Sequence, residues 1–97
     1  MEKTVVSGIV KLVKKINKRL SFVTLTPIFN EGWSETKIPF YLGIEKDYEG
    51  KVVEIITERN GFFGRNFKQT LKGVGMSSSI EMPYSFVKKI NDAYKRL

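Results

Sequence analysis

The chain contains no cysteine and no histidine. Without cysteine there is no disulfide framework and no thiolate metal site. Without histidine the commonest general base and the commonest transition-metal ligand are both missing. Catalysis would fall to Asp, Glu, Lys, Ser or Tyr alone, and no cluster of these has a spacing that demands chemistry. The chain therefore reads as non-enzymatic, with no cofactor. It also lacks any run approaching the ~18 apolar residues that a membrane span needs. The N-terminus, Met1-Glu2-Lys3-Thr4, does not open an unbroken apolar core of the signal-peptide kind. The expectation is a cytoplasmic protein without a membrane partner.

What is present is charge of one sign, unevenly placed. The 97 residues carry a net charge of +7, and a pI of about 9.7, in the range that flags nucleic-acid-binding domains. Between Lys3 and Asn30 stand six basic residues (Lys3, Lys11, Lys14, Lys15, Lys18, Arg19) and no acid. From Arg59 to Ile80 stand four (Arg59, Arg65, Lys68, Lys72), again with no acid. Seven of the ten acids lie from Glu31 to Glu58. Such segregation makes some surfaces uniformly positive, where an ordinary solvated surface mixes the signs. The acids Glu45, Asp47 and Glu49 lack the ligand pattern of a calcium loop, so no metal site is read there.

The length suits one domain, and the apolar pattern predicts five short strands and a helix. Residues 4–16 are rich in Val and Ile on both faces, as in a strand that changes face partway, with Gly8 marking a bend or a close backbone approach. Residues 14–19 form a basic turn. Residues 20–28 predict a second strand, and residues 36–42 a third, demoted in part to an edge by Pro39. Residues 43–50 are polar and hold at most one helical turn. Residues 51–57 are the clearest strand, Asn60-Gly61 signals a hairpin, and residues 65–74 predict a fifth strand. Gly73 to Ser79 reads as a flexible linker, so the expected plan is a barrel over about 4–74, a linker over about 75–82 and a helix over about 83–97. In that helix Phe86, Val87, Ile90, Tyr94 and Leu97 recur at helical spacing and read as packing, opposite Lys88, Lys89, Asp92, Lys95 and Arg96. Sequential strands favour hairpins with a Greek-key return.

Val6-Ser7-Gly8-Ile9-Val10, a basic turn, and then Arg19-Leu20-Ser21-Phe22-Val23-Thr24-Leu25 resemble the opening hairpin of nucleic-acid-binding OB domains, the anticodon-binding and replication-protein-A-like families. Tyr48-Glu49-Gly50-Lys51-Val52-Val53-Glu54-Ile55 is similar to their fourth strand. The likeness covers about residues 4–74. It departs at Thr26-Pro27, where the family usually carries an acid, and in the short link between strands three and four. The resemblance implies a mainly β fold, a five-stranded OB-type Greek-key barrel with a C-terminal helix. It also implies a binding face on strands two and three, flanked by the loops after strands one and four.

On that layout the two acid-free tracts converge on one cleft, a track for phosphates. Lys11, Lys14, Lys15, Lys18 and Arg19 line one side, and Arg59, Arg65 and Lys68 the other. Val23 and Leu25 fill the barrel, leaving Phe22 outside as a base-stacking platform. Ile38, Phe40 and Leu42 point inward, leaving Lys37 and Tyr41 out. Phe62 and Phe63 sit side by side in a Gly-flanked loop, where one serves as a stacking finger or caps the barrel end. Trp33 either plugs the barrel or anchors a partner. The expected function is non-enzymatic binding of nucleic acid, single-stranded DNA or RNA with low sequence specificity. Two alternatives stand beside it. One is an accessory subunit of a nucleic-acid-processing complex, with Trp33, Phe62 and Phe63 as anchors for a protein partner. The other is a regulator of the swapped-hairpin AbrB type, which Lys37-Ile38-Pro39, Leu42-Gly43-Ile44 and Gly50-Lys51-Val52-Val53-Glu54-Ile55 resemble.

Overall fold

The computed structural model describes residues 2–28, 35–73 and 75–96. In chain order they form β1 (Glu2–Lys15), β2 (Ser21–Thr26), β3 (Thr36–Phe40), β4 (Val52–Asn60), β5 (Asn66–Gly73), β6 (Met76–Pro83) and α1 (Tyr84–Lys95). The strands make one antiparallel open sheet in the order β3-β2-β1-β4-β5-β6. Read backwards, its first four members run 4-1-2-3, the Greek-key order. The expected five-stranded barrel is corrected to an open sheet of six strands.

The sixth strand occupies most of the segment expected to be a linker. Ser77, Ser78 and Ser79 pair with Lys72, Leu71 and Thr70 of β5. Gly75, at φ 70, lies in the link that returns the chain from Gly73 to Met76. A serine-rich edge strand needs no apolar partner on its outer side, and Ile80 and Met82 still alternate toward the protein.

Strand β1 is shared between two partners. Its first half pairs with β4 (Glu2↔Arg59 to Ile9↔Val52), and its second half pairs with β2 (Ile9↔Thr26 to Lys15↔Ser21). The inward face switches from even to odd positions at a bulge between Val10 and Leu12, so Val10 and Val13 are both buried. Just past the bulge the Val13 N–H donates to Glu49 Oε2 at 2.8 Å. Gly8 lies where β1 presses on β2: a Cβ there would stand 2.5 Å from the Thr26 carbonyl oxygen.

The buried residues build two cores. One gathers Val10, Val13, Val23, Leu25, Phe40, Ile44, Val53, Ile55 and Leu71, with Ile38 and Leu42 packed against it. Each fully buried Val, Leu, Ile or Phe side chain contributes about 1.5–3 kcal/mol of transfer free energy. The other lies under α1 and gathers Leu20, Tyr41, Phe67, Val87 and Ile90, flanked by Ile16, Phe22, Met82, Tyr84 and Tyr94. The helix thus spans the space between the β3 edge and β5. Those two strands are not paired but are pinned by one side chain. Gln69 accepts from the Tyr41 N–H at 2.9 Å and donates through Nε2 to the Pro39 carbonyl at 3.0 Å. Among the described residues no helix is long and apolar enough to cross a membrane.

Candidate nucleic-acid interface

The face of strands two and three does not stand open as expected. Tyr41 is 7% exposed, with its ring edge-on to Phe67 at 5.3 Å and its hydroxyl donating to Asn91 Oδ1 at 3.1 Å. It is a core residue rather than a stacking platform, because α1 lies over it. Burial raises its hydroxyl above the ordinary pKa of 10.0, and the proximity of Tyr84 reinforces the shift. Phe22 points to the outer side as expected but is half-buried. Tyr94 packs on its ring at 5.3 Å, and the Lys37 ammonium sits 4.6 Å from its centroid. The helix, whose docking site the amphipathic stripe alone did not locate, has taken the place assigned to a base.

Three of the expected phosphate-binding cations already have acidic partners. Lys11 pairs with Glu35, Lys15 with Glu45 at 2.9 Å, and Lys68 with Glu81 at 3.8 Å. These exposed pairs hold little energy, about 0–1 kcal/mol each, but they neutralise the positive field locally. They also account for part of the acidic segment: Glu35, Glu45 and Glu49 all answer groups on β1. Lys14 stays exposed on the outer face, opposite Phe22 in the register. Trp33 lies outside the described residues.

The tip between β4 and β5 is another matter. Phe62 is 79% exposed and Phe63 78%, and their rings meet edge to face at 4.5 Å. Neither caps the sheet. Gly61 (φ 78) and Gly64 (φ 64) supply the left-handed turns at either end of this 3-10 segment. Phe63 also stands at φ 58, ψ 26, where a bulky side chain is strained. Around the tip stand three cations. Arg65 lies 5.7 Å from the Phe63 centroid. The Arg59 guanidinium stacks on Tyr84 at 3.5 Å, and its Nε–H donates to the Gly64 carbonyl at 3.3 Å. Lys88 of α1 also lies over the Tyr84 ring, 5.9 Å from its centroid.

The helix joins this tip to the basic turn after β1. Its first turn is tied down where the Tyr84 N–H donates to the Arg65 carbonyl at 2.7 Å. Phe63, Arg65, Tyr84 and Lys88 line one concavity. Round the helix from it, Phe86 and Lys89 line another with Lys18 and Arg19, where the Arg19 guanidinium sits 5.0 Å from the Phe86 centroid. The two basic loops therefore each meet α1, at separate concavities, rather than facing each other across strands two and three. Tyr84, Phe86, Lys88 and Lys89 were absent from the expected site. The signal for the lysines was present in the basic face opposite the apolar stripe, but a basic helix face is usually only solvated.

No protein-family model, no curated protein and no solved structure matches the chain.

Proposed function

We propose that the protein binds single-stranded nucleic acid, without catalysis, along a track running from the β4–β5 tip over α1 to the β1–β2 turn. The observation that carries this reading is the pair Phe62 and Phe63. Two adjacent rings stand in solvent, one of them on strained backbone, beside Arg59, Arg65 and Lys88. Exposed rings within a cationic surface suit stacked bases with phosphates between them, at about 1–3 kcal/mol per stacked base. Phe86 under Arg19 repeats the combination at the other end. The first five strands, in the order β3-β2-β1-β4-β5, support an OB-type layout, a partly open Greek-key sheet that uses the loops after strands one and four. On this reading β6 and α1 are additions, and α1 moves the binding track off the β2–β3 face.

The test is titration of a labelled single-stranded oligonucleotide at low and at moderate salt, beside a duplex and an RNA of equal length. Micromolar or tighter binding is expected. It should weaken steeply with salt, since each neutralised phosphate of a single strand contributes a slope of about −0.7. It should also be lost in the Phe62→Ala/Phe63→Ala double variant. Absence of binding even at low salt would overturn the proposal.

A second reading has its own observation. On the outer face Val5, Ile9, Leu12 and Val52 are all exposed, and Ile9 and Val52 are register partners. An apolar stripe of this kind suits a protein partner, as in the accessory subunit of a larger complex. Charge substitutions at Ile9 and Leu12 would then abolish co-assembly while leaving oligonucleotide binding unchanged.

A further inference from the structure

An open sheet ends in two edges, and here the two differ. At the β3 edge the chain blunts its own pairing. Pro39 has no N–H to offer, and Gln69 takes both the Pro39 carbonyl and the Tyr41 N–H. The β6 edge has no such device. The bond from the Tyr84 N–H to the Arg65 carbonyl continues the register of the pairs Phe67↔Met82 and Leu71↔Ser78. Hydrogen-bonded and non-hydrogen-bonded pairs alternate along an antiparallel ladder. The even positions of β6 therefore bond to β5, and the odd ones face away. Ser77, Ser79 and Glu81 turn their N–H and C=O groups to the free side, where no strand pairs with them among the described residues. All three are exposed. Over Met76–Pro83 there is no lysine, no bulge and no proline before the last position, the devices that keep other edges single.

We propose that β6 pairs with β6 of a second copy of the chain, antiparallel about a two-fold axis at Ser79, joining the two sheets into one. This goes beyond the nucleic-acid reading and does not rest on it. Charge selects the occupant. The chain carries +7, so copies repel over much of their surface, but from Gly73 to Val87 it has no basic residue. This edge is where two copies meet with least repulsion. Register selects the axis, because the odd positions must face one another. With Ser79 on the axis, Ser77 faces Glu81 of the second copy. Each such pair exchanges two hydrogen bonds, a ladder of about six. Sliding the strands toward Pro83 brings a residue without an N–H into the ladder, and one step further sets Glu81 against Glu81. Sliding them the other way brings in Gly75, whose φ of 70 is not a strand value. In the chosen register Glu81 keeps Lys68 on its own β5. Beyond Ser77 of the second copy it also meets that copy's Lys72, the register partner of Ser77. The serines at the axis are short and hold neither backbone off. Since the β3 edge is blunted, β6 cannot pair with it head to tail, and the contact closes as a dimer rather than running on as a filament.

The test is sedimentation velocity on the whole chain, from micromolar concentration to ~1 mM, in moderate salt that screens the net charge. A monomer–dimer equilibrium is expected. Ser79→Pro removes an N–H from each copy at the axis and should weaken the dimer by about tenfold or more. The variant keeps its fold, since that N–H makes no bond to β5 and an edge strand tolerates proline where the N–H faces solvent. Circular dichroism checks this. Ser79→Lys leaves the backbone unaltered, sets two ammonium groups opposite each other across the axis, and should weaken the dimer likewise. The chain has no cysteine, so single cysteines report the register. Opposed residues of a hydrogen-bonded pair have Cα atoms about 5.5 Å apart, within disulfide reach. On mild oxidation the Ser79→Cys chain should cross-link to itself, and the Ser77→Cys chain, whose opposite number is Glu81, should not. A monomer at every concentration overturns the proposal. So does a dimer that both Ser79→Pro and Ser79→Lys leave unchanged, which puts the interface elsewhere, on the outer apolar stripe for one. Cross-linking of the Ser77→Cys chain without the Ser79→Cys chain overturns it as well.

Discussion

Gln69 holds Tyr41 by the backbone: its Oε1 accepts from the Tyr41 N–H at 2.9 Å, from a side chain with no solvent exposure. With the second bond, from Nε2 to the Pro39 carbonyl, one amide side chain does between β3 and β5 what a ladder does elsewhere in the sheet. Gln69→Leu is isosteric enough to fill the space but satisfies neither backbone group. A buried polar group left unpaired costs about 1–3 kcal/mol, so the variant should lose at least ~2 kcal/mol in a denaturant titration. Thr57→Ala, which removes only the 3.4 Å contact, should lose less than half as much.

Gly8→Ala tests the place where β1 crosses close to β2. The new methyl would meet the Thr26 carbonyl oxygen at 2.5 Å, with the Thr26 carbonyl carbon at 3.1 Å. Both neighbours of closest approach are main chain and cannot rotate away. Forced shifts of this kind cost about 1–3 kcal/mol, and thermal unfolding should report a lowered Tm. Gly43→Ala, where a Cβ meets nothing within 4 Å, is the control and should leave Tm unchanged or slightly raised.

The buried Tyr41 hydroxyl makes stability sensitive to alkali. Its folded pKa lies above the unfolded value of 10.0, chiefly through desolvation. The stabilisation is therefore complete below pH 10 and is lost as pH rises through the folded value, because the unfolded chain gives up the proton first. Denaturant titrations between pH 8 and pH 11 should show a decline that Tyr41→Phe reduces. At pH 8 the same variant should cost about 1 kcal/mol for the lost bond to Asn91. A decline identical in the two proteins would exclude Tyr41 as its source.

Phe63→Gly separates folding from binding at the tip. Glycine adopts φ 58 freely, whereas a left-handed residue with a side chain is strained by about 1–2 kcal/mol. The added freedom of the unfolded chain offsets ~0.5–1 kcal/mol of that gain. Stability should stay level or rise slightly in thermal unfolding, while affinity for a single strand falls by about 1–3 kcal/mol. A ring retained for packing would show the opposite pattern, with stability lost and binding kept.

Much of the sheet could be read from the chain because its signals are local. Apolar residues on both faces of residues 4–16 marked a strand that changes face, Gly8 marked the close approach to β2, and Val23, Leu25 and Phe40 alternate inward as expected. What was misread depends on docking. Residues 76–83 looked like a linker because three serines hide a strand that needs only β5 for a partner. Tyr41 and Phe22 alternate outward, so period-two reasoning left them exposed, yet at these two positions outward means under α1. The site residues read most clearly were those on the Asn60–Arg65 tip, where glycines and adjacent aromatics sit within one short stretch. Those on α1 were not, because their value comes from standing beside residues some twenty or seventy positions away, Arg65 and Arg19.

The sharing of β1 between β2 and β4 also sets an order of events during synthesis. The hairpin of β1 with β2 needs only the first 26 residues, but Glu2 to Gly8 find their partners on β4, at residues 53–59. The opening segment must therefore wait, with Val5 and Val6 unpaired, until more than half the chain has been made. Of the pairings in the sheet this one closes the longest loop, and that entropy is lost before any contact rewards it. A nascent chain paused before residue 52 presents an unfinished edge to its neighbours.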